Sequence, residues 1–208
     1  MLTAATMDRE TAGDNQARQL LRILTPLIKL RACRDNIRVA TGAMEVRGGN
    51  GYIEEWVNAR LVRDSHVGVL WEGTSNINAI DVVRRAVGKS GSDAALEQFL
   101  LARLEEADAA PKAYHGQLAV RIAQTFGFAR DVAKTPDRER HARLAATALY
   151  NAASAVMLAW EGTRAGADAR RLILSRFVLE HRLEQADPLN PRDYNWEQDA
   201  VGLRLDPV

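Results

Sequence analysis

Apolar residues recur at spacings of three and four along most of the chain, as in helices that bury one face. Over residues 15–44 the stripe runs Leu20, Leu24, Leu27, Leu30, Cys33, Ile37, Ala40 and Met44. Pro26 falls inside it. An interior proline removes a hydrogen bond and kinks a helix, so a bend or break is expected near residues 24–25. Thr25-Pro26 also reads as a cap and first helical residue, which leaves two helices open. Gly48-Gly49-Asn50-Gly51 predicts a tight turn at the end of the run. Residues 53–64 read as a short helix and 66–70 as an extended apolar stretch. Thr74 or Ser75 then caps a helix with Ile77, Ile80, Val83 and Val87 on one face, ending at Gly88.

Lys89-Ser90-Gly91-Ser92-Asp93 reads as a short flexible linker and a domain boundary. Helical segments follow. Residues 94–107 carry Leu96, Phe99, Leu100 and Leu104, and residues 117–134 carry Leu118, Ile122 and Phe126. Thr135-Pro136 opens a long helix to about Arg164, and residues 168–185 carry Leu172, Leu174 and Val178. Residues 1–13 are small and polar and are expected to be flexible. Residues 186–208, with three prolines, are expected to form an irregular tail. No stretch has the alternation of a strand. The fold class is therefore all-α: a helical bundle over 14–88 and an additional helical domain over 93–185.

Charge narrows the function classes. The 208 residues hold 28 Lys+Arg against 27 Asp+Glu, a net charge of +1. No global field draws in nucleic acid or an anionic membrane. Cys33 is the single cysteine, so no intrachain disulfide forms, which fits a reducing compartment with the cytoplasm as default. Its place on the stripe predicts a buried, inert thiol. No apolar run is long enough to span a membrane, and Met1 to Ala12 lacks the make-up of a signal peptide. His66, His115, His141 and His181 show no metal-ligand spacing, so no metal site is expected.

Two stretches carry candidate chemistry. In Gly48-Gly49-Asn50-Gly51 a helix end needs one glycine, or two. A third points to something close against the backbone, such as a phosphate or a neighbouring chain. Both readings stay open. In Trp71-Glu72-Gly73-Thr74-Ser75 a carboxylate precedes a helix start, where the dipole alone favours it. Its apolar neighbours, Val67 to Trp71, also suggest desolvation, which makes a carboxylate a stronger base.

Taken together, with Arg63-Asp64 between them, these stretches resemble the C-terminal helical domain of the acyl-CoA dehydrogenases. That family shows a glutamine, two residues, Gly-Gly-x-Gly-aromatic, an Arg-Asp pair, then aromatic-Glu-Gly-Thr-Ser. The run from Glu45 to Asn76 matches in order and spacing. Leu24 to Lys29, Glu45 in place of glutamine, Trp71 and the helices after Val87 resemble the AidB-like branch. The resemblance implies FAD as cofactor, an acyl-CoA substrate and a homo-oligomer of two or four copies. It makes Glu72 the base that takes the α-proton of the thioester. Trp71 and Gly73 would contact substrate. Glu45, Gly48, Gly49, Gly51, Thr74 and Asn76 would contact FAD, the glycine turn reaching the cofactor bound by a neighbouring subunit. The family also builds its site from an N-terminal helical domain and a middle β-domain, for which this sequence has no counterpart. The resemblance therefore implies an incomplete site, inactive alone. The alternative is a non-catalytic module for self-association, or an AidB-like DNA-associated one. The charge balance argues against nucleic acid.

Overall fold

The computed structural model describes residues 2–108, 110–164 and 170–184, with 187, 189–190 and 196–197. The expected tail over 186–208 lies almost wholly outside the described residues, as do the first two positions and the last position of the expected helix over 168–185. The described residues contain helices and turns and no strand. They divide into two units, Met1–Leu96 with Gly127–Tyr150, and Glu97–Phe126 with Asn151–Val208. The boundary expected at residues 89–93 thus falls a few residues later, and 127–150 return to the first unit.

The first unit is built around one helix. Helix α2 (Asn15–Val46) packs against α1 (Leu2–Thr11), α3 (Gly49–Tyr52), α4 (Val57–Leu70), α5 (Ser75–Ile80) and the π-helical continuation of α5 (Asp81–Val87). The expected flexible start is instead α1. Thr6 is buried there. The Arg9 guanidinium donates to Asp14, the cap of α2, whose carboxylate also accepts from the N–H groups of Gln16 and Ala17. These bonds tie α1 to the start of α2, so the N-terminal helix has a partner to form against.

Pro26 does not break α2, which runs for 32 residues. Leu20, Ile23, Leu24, Leu27 and Leu30 are buried on both sides of it, and the ring is itself buried. That shared apolar contact outweighs the cost of an interior proline, about 3 kcal/mol for the lost bond and the ring's clash with the preceding turn. The opposing face supplies Ala79, Val82, Val83 and Ala86. Ile77, expected on this face, is exposed, because the π-helical segment shifts the phase of the stripe. A two-pronged pair, Arg22 to Asp81 at 2.7 and 2.9 Å, fixes that segment to α2. The Arg22 guanidinium holds the Asp81 carboxyl below its ordinary value.

Helix α4 also departs from expectation. It begins at Val57, later than expected, and absorbs residues 66–70, which were expected to be extended. The stretch continues a helix already started, within which the Ser65 and His66 side chains both turn back to the Val62 carbonyl. The presumed flexible linker is pinned, since Ser92 donates to Gln19 at 2.8 Å and Asp93 pairs with Arg130 at 2.7 Å. Helices α6 (Ser92–Glu105), α7 (Lys112–Lys134) and α8 (Ala142–Gly162) follow, with a 3₁₀ turn, Pro136–His141, where the α8 start was expected.

In the second unit, Leu100, Leu104, Leu118, Ile122, Phe126, Val156, Ala159 and Leu179 form the core. Helix α9 (Arg170–Val178) and its π-helical end (Leu179–Leu183) close it. Inside lies a polar chain: Tyr114 hydroxyl to Ser175 hydroxyl at 2.5 Å, and Ser175 to the Ala155 carbonyl at 2.5 Å.

Candidate active site

The turn between α4 and α5 carries the candidate base. Trp71 ends α4, its N–H donating to the Val67 carbonyl at 3.2 Å. Glu72 follows with φ of +52°, the single non-glycine residue with positive φ among the described residues. A left-handed backbone costs a side-chain-bearing residue about 1 kcal/mol or more, so its neighbours must hold it there. Gly73 continues the reversal at φ +94°. Two side chains hold the turn. Asn78 Nδ2 donates to the carbonyls of Gly73 at 2.7 Å and Thr74 at 3.0 Å. Lys29 Nζ donates to the Gly68 carbonyl at 2.8 Å, sits 5.4 Å from the Trp71 ring centre and lies 4.0 Å from Glu72 Oε2.

Glu72 lines an open cleft of about 970 Å³ in the first unit, with Arg22, Thr25, Ile28, Lys29, Asn78 and Asp81 among its walls. Cys33 also lines it and is half-buried rather than fully buried. The Glu72 side chain is 73% exposed and Trp71 is 59% exposed. The desolvating surround expected for the carboxylate is therefore not formed by the described residues. Val67 and Leu70 point their apolar surface outward as well.

The other candidates lie apart from this cleft. Thr74 caps α5 with its backbone, and its side chain makes no capping bond. Asn76 lines a separate cavity of about 240 Å³ with Arg140 and Arg143. The glycine run is only partly a tight turn: Gly48 takes φ +56°, and Gly49-Asn50-Gly51-Tyr52 is one turn of helix. A Cβ on Gly51 would lie 2.2 Å from the Met44 carbonyl oxygen, so the backbone that presses on this glycine is α2 itself. Gly49 has nothing within 4 Å of the same position, and its outer face is open. Glu45 is exposed at the end of α2.

Residues 2–87 match the family model described as acyl-CoA dehydrogenase, C-terminal domain. Those residues, 86 of the 208, are similar to that domain family. Over 70 residues the chain is 39% identical to acyl-CoA dehydrogenase family member 11 of Caenorhabditis elegans, covering 34% of this chain and 11% of that protein. Over 63 residues it is 43% identical to the putative acyl-CoA dehydrogenase AidB of Escherichia coli (strain K12), 30% of this chain and 12% of that protein. The solved structure of Caenorhabditis elegans ACDH-11 in complex with C11-CoA superposes with a TM-score of 0.78. That superposition covers 96% of this chain and 35% of the other at 20% identity, which establishes a shared helical fold. This stretch thus spans about a tenth of the first two relatives. Glu72 and Asn76 lie in one unit, while the cleft of Glu72 includes none of Glu45, Gly48, Gly49 or Gly51.

Lys29 and Asn78 escaped the sequence reading. One signal was available: Lys29 is one of only four lysines and interrupts the apolar run Leu27, Ile28 and Leu30 in sequence. Among the described residues no three of His, Cys, Asp and Glu converge on a metal position, and no helix is long and apolar enough to cross a membrane.

Proposed function

We propose that this chain supplies the base-bearing part of a flavin-dependent acyl-CoA dehydrogenase site, with Glu72 as the base. The observation that carries the reading is the Glu72 turn: a carboxylate held at positive φ on the edge of a large cleft, within residues that match the family. Glu72 takes the α-proton of an acyl thioester, and the β-hydrogen leaves with its electron pair as the carbon–carbon double bond forms. FAD, when bound, supplies the acceptor for that hydride. The Glu72 N–H would help polarise the thioester carbonyl. Trp71 and Gly73, which flank Glu72 and do not line the cleft itself, would contact the acyl chain once the pocket is completed.

The residues present fit one edge of the cofactor. Thr74 offers a hydroxyl its own helix does not use, Asn76 an exposed amide, and Gly49 an open backbone face. Gly48 and Gly51 shape that face, and Glu45 lies beside it. The walls that would bury Glu72 come from outside the described residues, so the chain alone neither holds FAD tightly nor dehydrogenates acyl-CoA.

The test places this chain at the corresponding segment of a full-length family member and follows acyl-CoA-dependent dye reduction. Glu72→Gln is expected to lower the rate by about 10²–10⁴, the usual loss of a general base. Activity within about tenfold of the parent fusion would refute the assignment.

A second reading, self-association, has one observation in its favour. Val46, Tyr52, Trp56 and Val57 leave large apolar side chains exposed around α3 and the start of α4. The two readings are compatible if the covering surface is another subunit.

A further inference from the structure

We propose that Lys29 is the positioning residue for Glu72, holding its turn in the left-handed conformation that presents the carboxylate to the cleft. The inference rests on the reading of Glu72 as the base, but its geometry stands separately.

Three groups with negative potential converge on one ammonium. The first is the Gly68 carbonyl, in the last turn of α4, where the helix dipole is negative; the bond is 2.8 Å long. The second is the Trp71 indole, 5.4 Å away at its centre, within cation–π range. The third is the Glu72 carboxylate at 4.0 Å. These partners come from α4's last turn and the two residues after it, the segment where the chain reverses. Lys29 reaches them from α2. Its side chain is only 16% exposed, so its stem is fixed while its head serves the turn.

The surrounding contacts leave Lys29 little freedom. Beside it, Gly68 packs against Cys33 so closely that a Cβ would lie 3.2 Å from the sulfur. That approach brings the Gly68 carbonyl within reach of the lysine. On the other side of the turn Asn78 fixes the carbonyls of Gly73 and Thr74. Asn78 thus holds the turn after Glu72, and Lys29 holds it before. Without Lys29 the Trp71 N–H bond to the Val67 carbonyl is the tie that remains before Glu72, and a residue with a side chain relaxes from positive φ towards extended backbone.

The test reads the turn in the isolated chain, without flavin or substrate. Lys29→Met, Lys29→Gln and Lys29→Arg are compared by amide NMR. The readouts are the HN–Hα coupling of Glu72, which reports φ, and the exchange rate of the Trp71 N–H, with Val83 as core control. Lys29→Met is expected to move the Glu72 coupling towards extended backbone. It should also speed Trp71 exchange about tenfold, as for loss of one charge-assisted bond. Lys29→Arg, which keeps the charge and the reach, is expected to restore both. An unchanged coupling and exchange rate in Lys29→Met overturns the proposal. If Lys29→Met does not fold, the Gln and Arg variants decide: the turn lost in Gln and kept in Arg supports it, and the same turn in both overturns it. Failure of the Glu72→Gln activity test with a Lys29-dependent turn would remove the base assignment and leave this result standing.

Discussion

Replacing Gly51 and Gly49 separately by alanine is expected to have opposite effects, although the two lie in the same helical turn. At residue 51 a Cβ would meet the Met44 carbonyl oxygen at 2.2 Å, its carbon at 2.9 Å and its Cα at 3.0 Å. All three are backbone atoms of α2, so no side-chain rotation relieves the clash. Either α3 moves off α2 or the last turn of α2 unwinds. Overpacking costs about 1–3 kcal/mol, and a backbone neighbour places this case at the upper end. At residue 49 nothing lies within 4 Å, and the residue is helical, so alanine gains about 0.5–1 kcal/mol from lower entropy in the unfolded chain. Thermal unfolding followed by circular dichroism reads both. For a chain of this size 1 kcal/mol moves the midpoint by about 2–4 °C. Gly51→Ala should fall by about 4 °C or more, and Gly49→Ala should hold or rise. A Gly51→Ala midpoint equal to wild type, or a Gly49→Ala midpoint well below it, would refute the reasoning. If Gly49 backs onto a cofactor or neighbouring subunit as proposed, Gly49→Ala should nevertheless lower flavin content in the full-length fusion.

Two further outcomes follow from the structure. Burial pushes the Tyr114 hydroxyl up to about 12, against the smaller opposing pull of Ser175. A tyrosine raised on folding contributes stability that is fully present below its unfolded value near 10. That stability is lost as pH rises through about 12, a span worth roughly 2–3 kcal/mol. Tyr114→Phe should flatten this alkaline slope in denaturant midpoints, and equal slopes in the two proteins would count against it. The exposed face around α3 predicts self-association of the purified chain. Sedimentation velocity over a wide dilution range should show a larger species that Trp56→Glu abolishes, and a wild type monomeric throughout would exclude it.

The helical class and most helix spans were legible because the apolar stripe at Leu20, Leu27, Leu30, Val83, Leu100 and Leu104 is what the core buries. The departures have local causes that periodicity does not encode. Pro26 is carried through by burial on either side. Residues 66–70 are helical because they continue a helix already started, not because of their own β-branched content. Ile77 turns outward because the stripe changes phase in the π-helical segment. The candidate site was legible as a motif and not as a geometry. Glu72 could be named from its neighbours in sequence, whereas Lys29 lies 43 positions earlier and reaches it only through the α2–α4 packing.

That contrast separates what the chain contains from what it needs. A base must be both placed and desolvated to work. The described residues provide placement: Lys29 before the turn, Asn78 after it, and a cleft on the side the carboxylate faces. They do not provide desolvation, since Glu72 is 73% exposed and Leu70 and Trp71 beside it are also open. Exposed apolar groups flanking a held carboxylate have the shape of a half-pocket. A cover that buries Leu70 and Trp71 would remove water from Glu72 in the same step. If Glu72 is the base, as proposed, covering the apolar face and activating it would be one event, and its reactivity would depend on assembly, while the turn itself is set within the first unit.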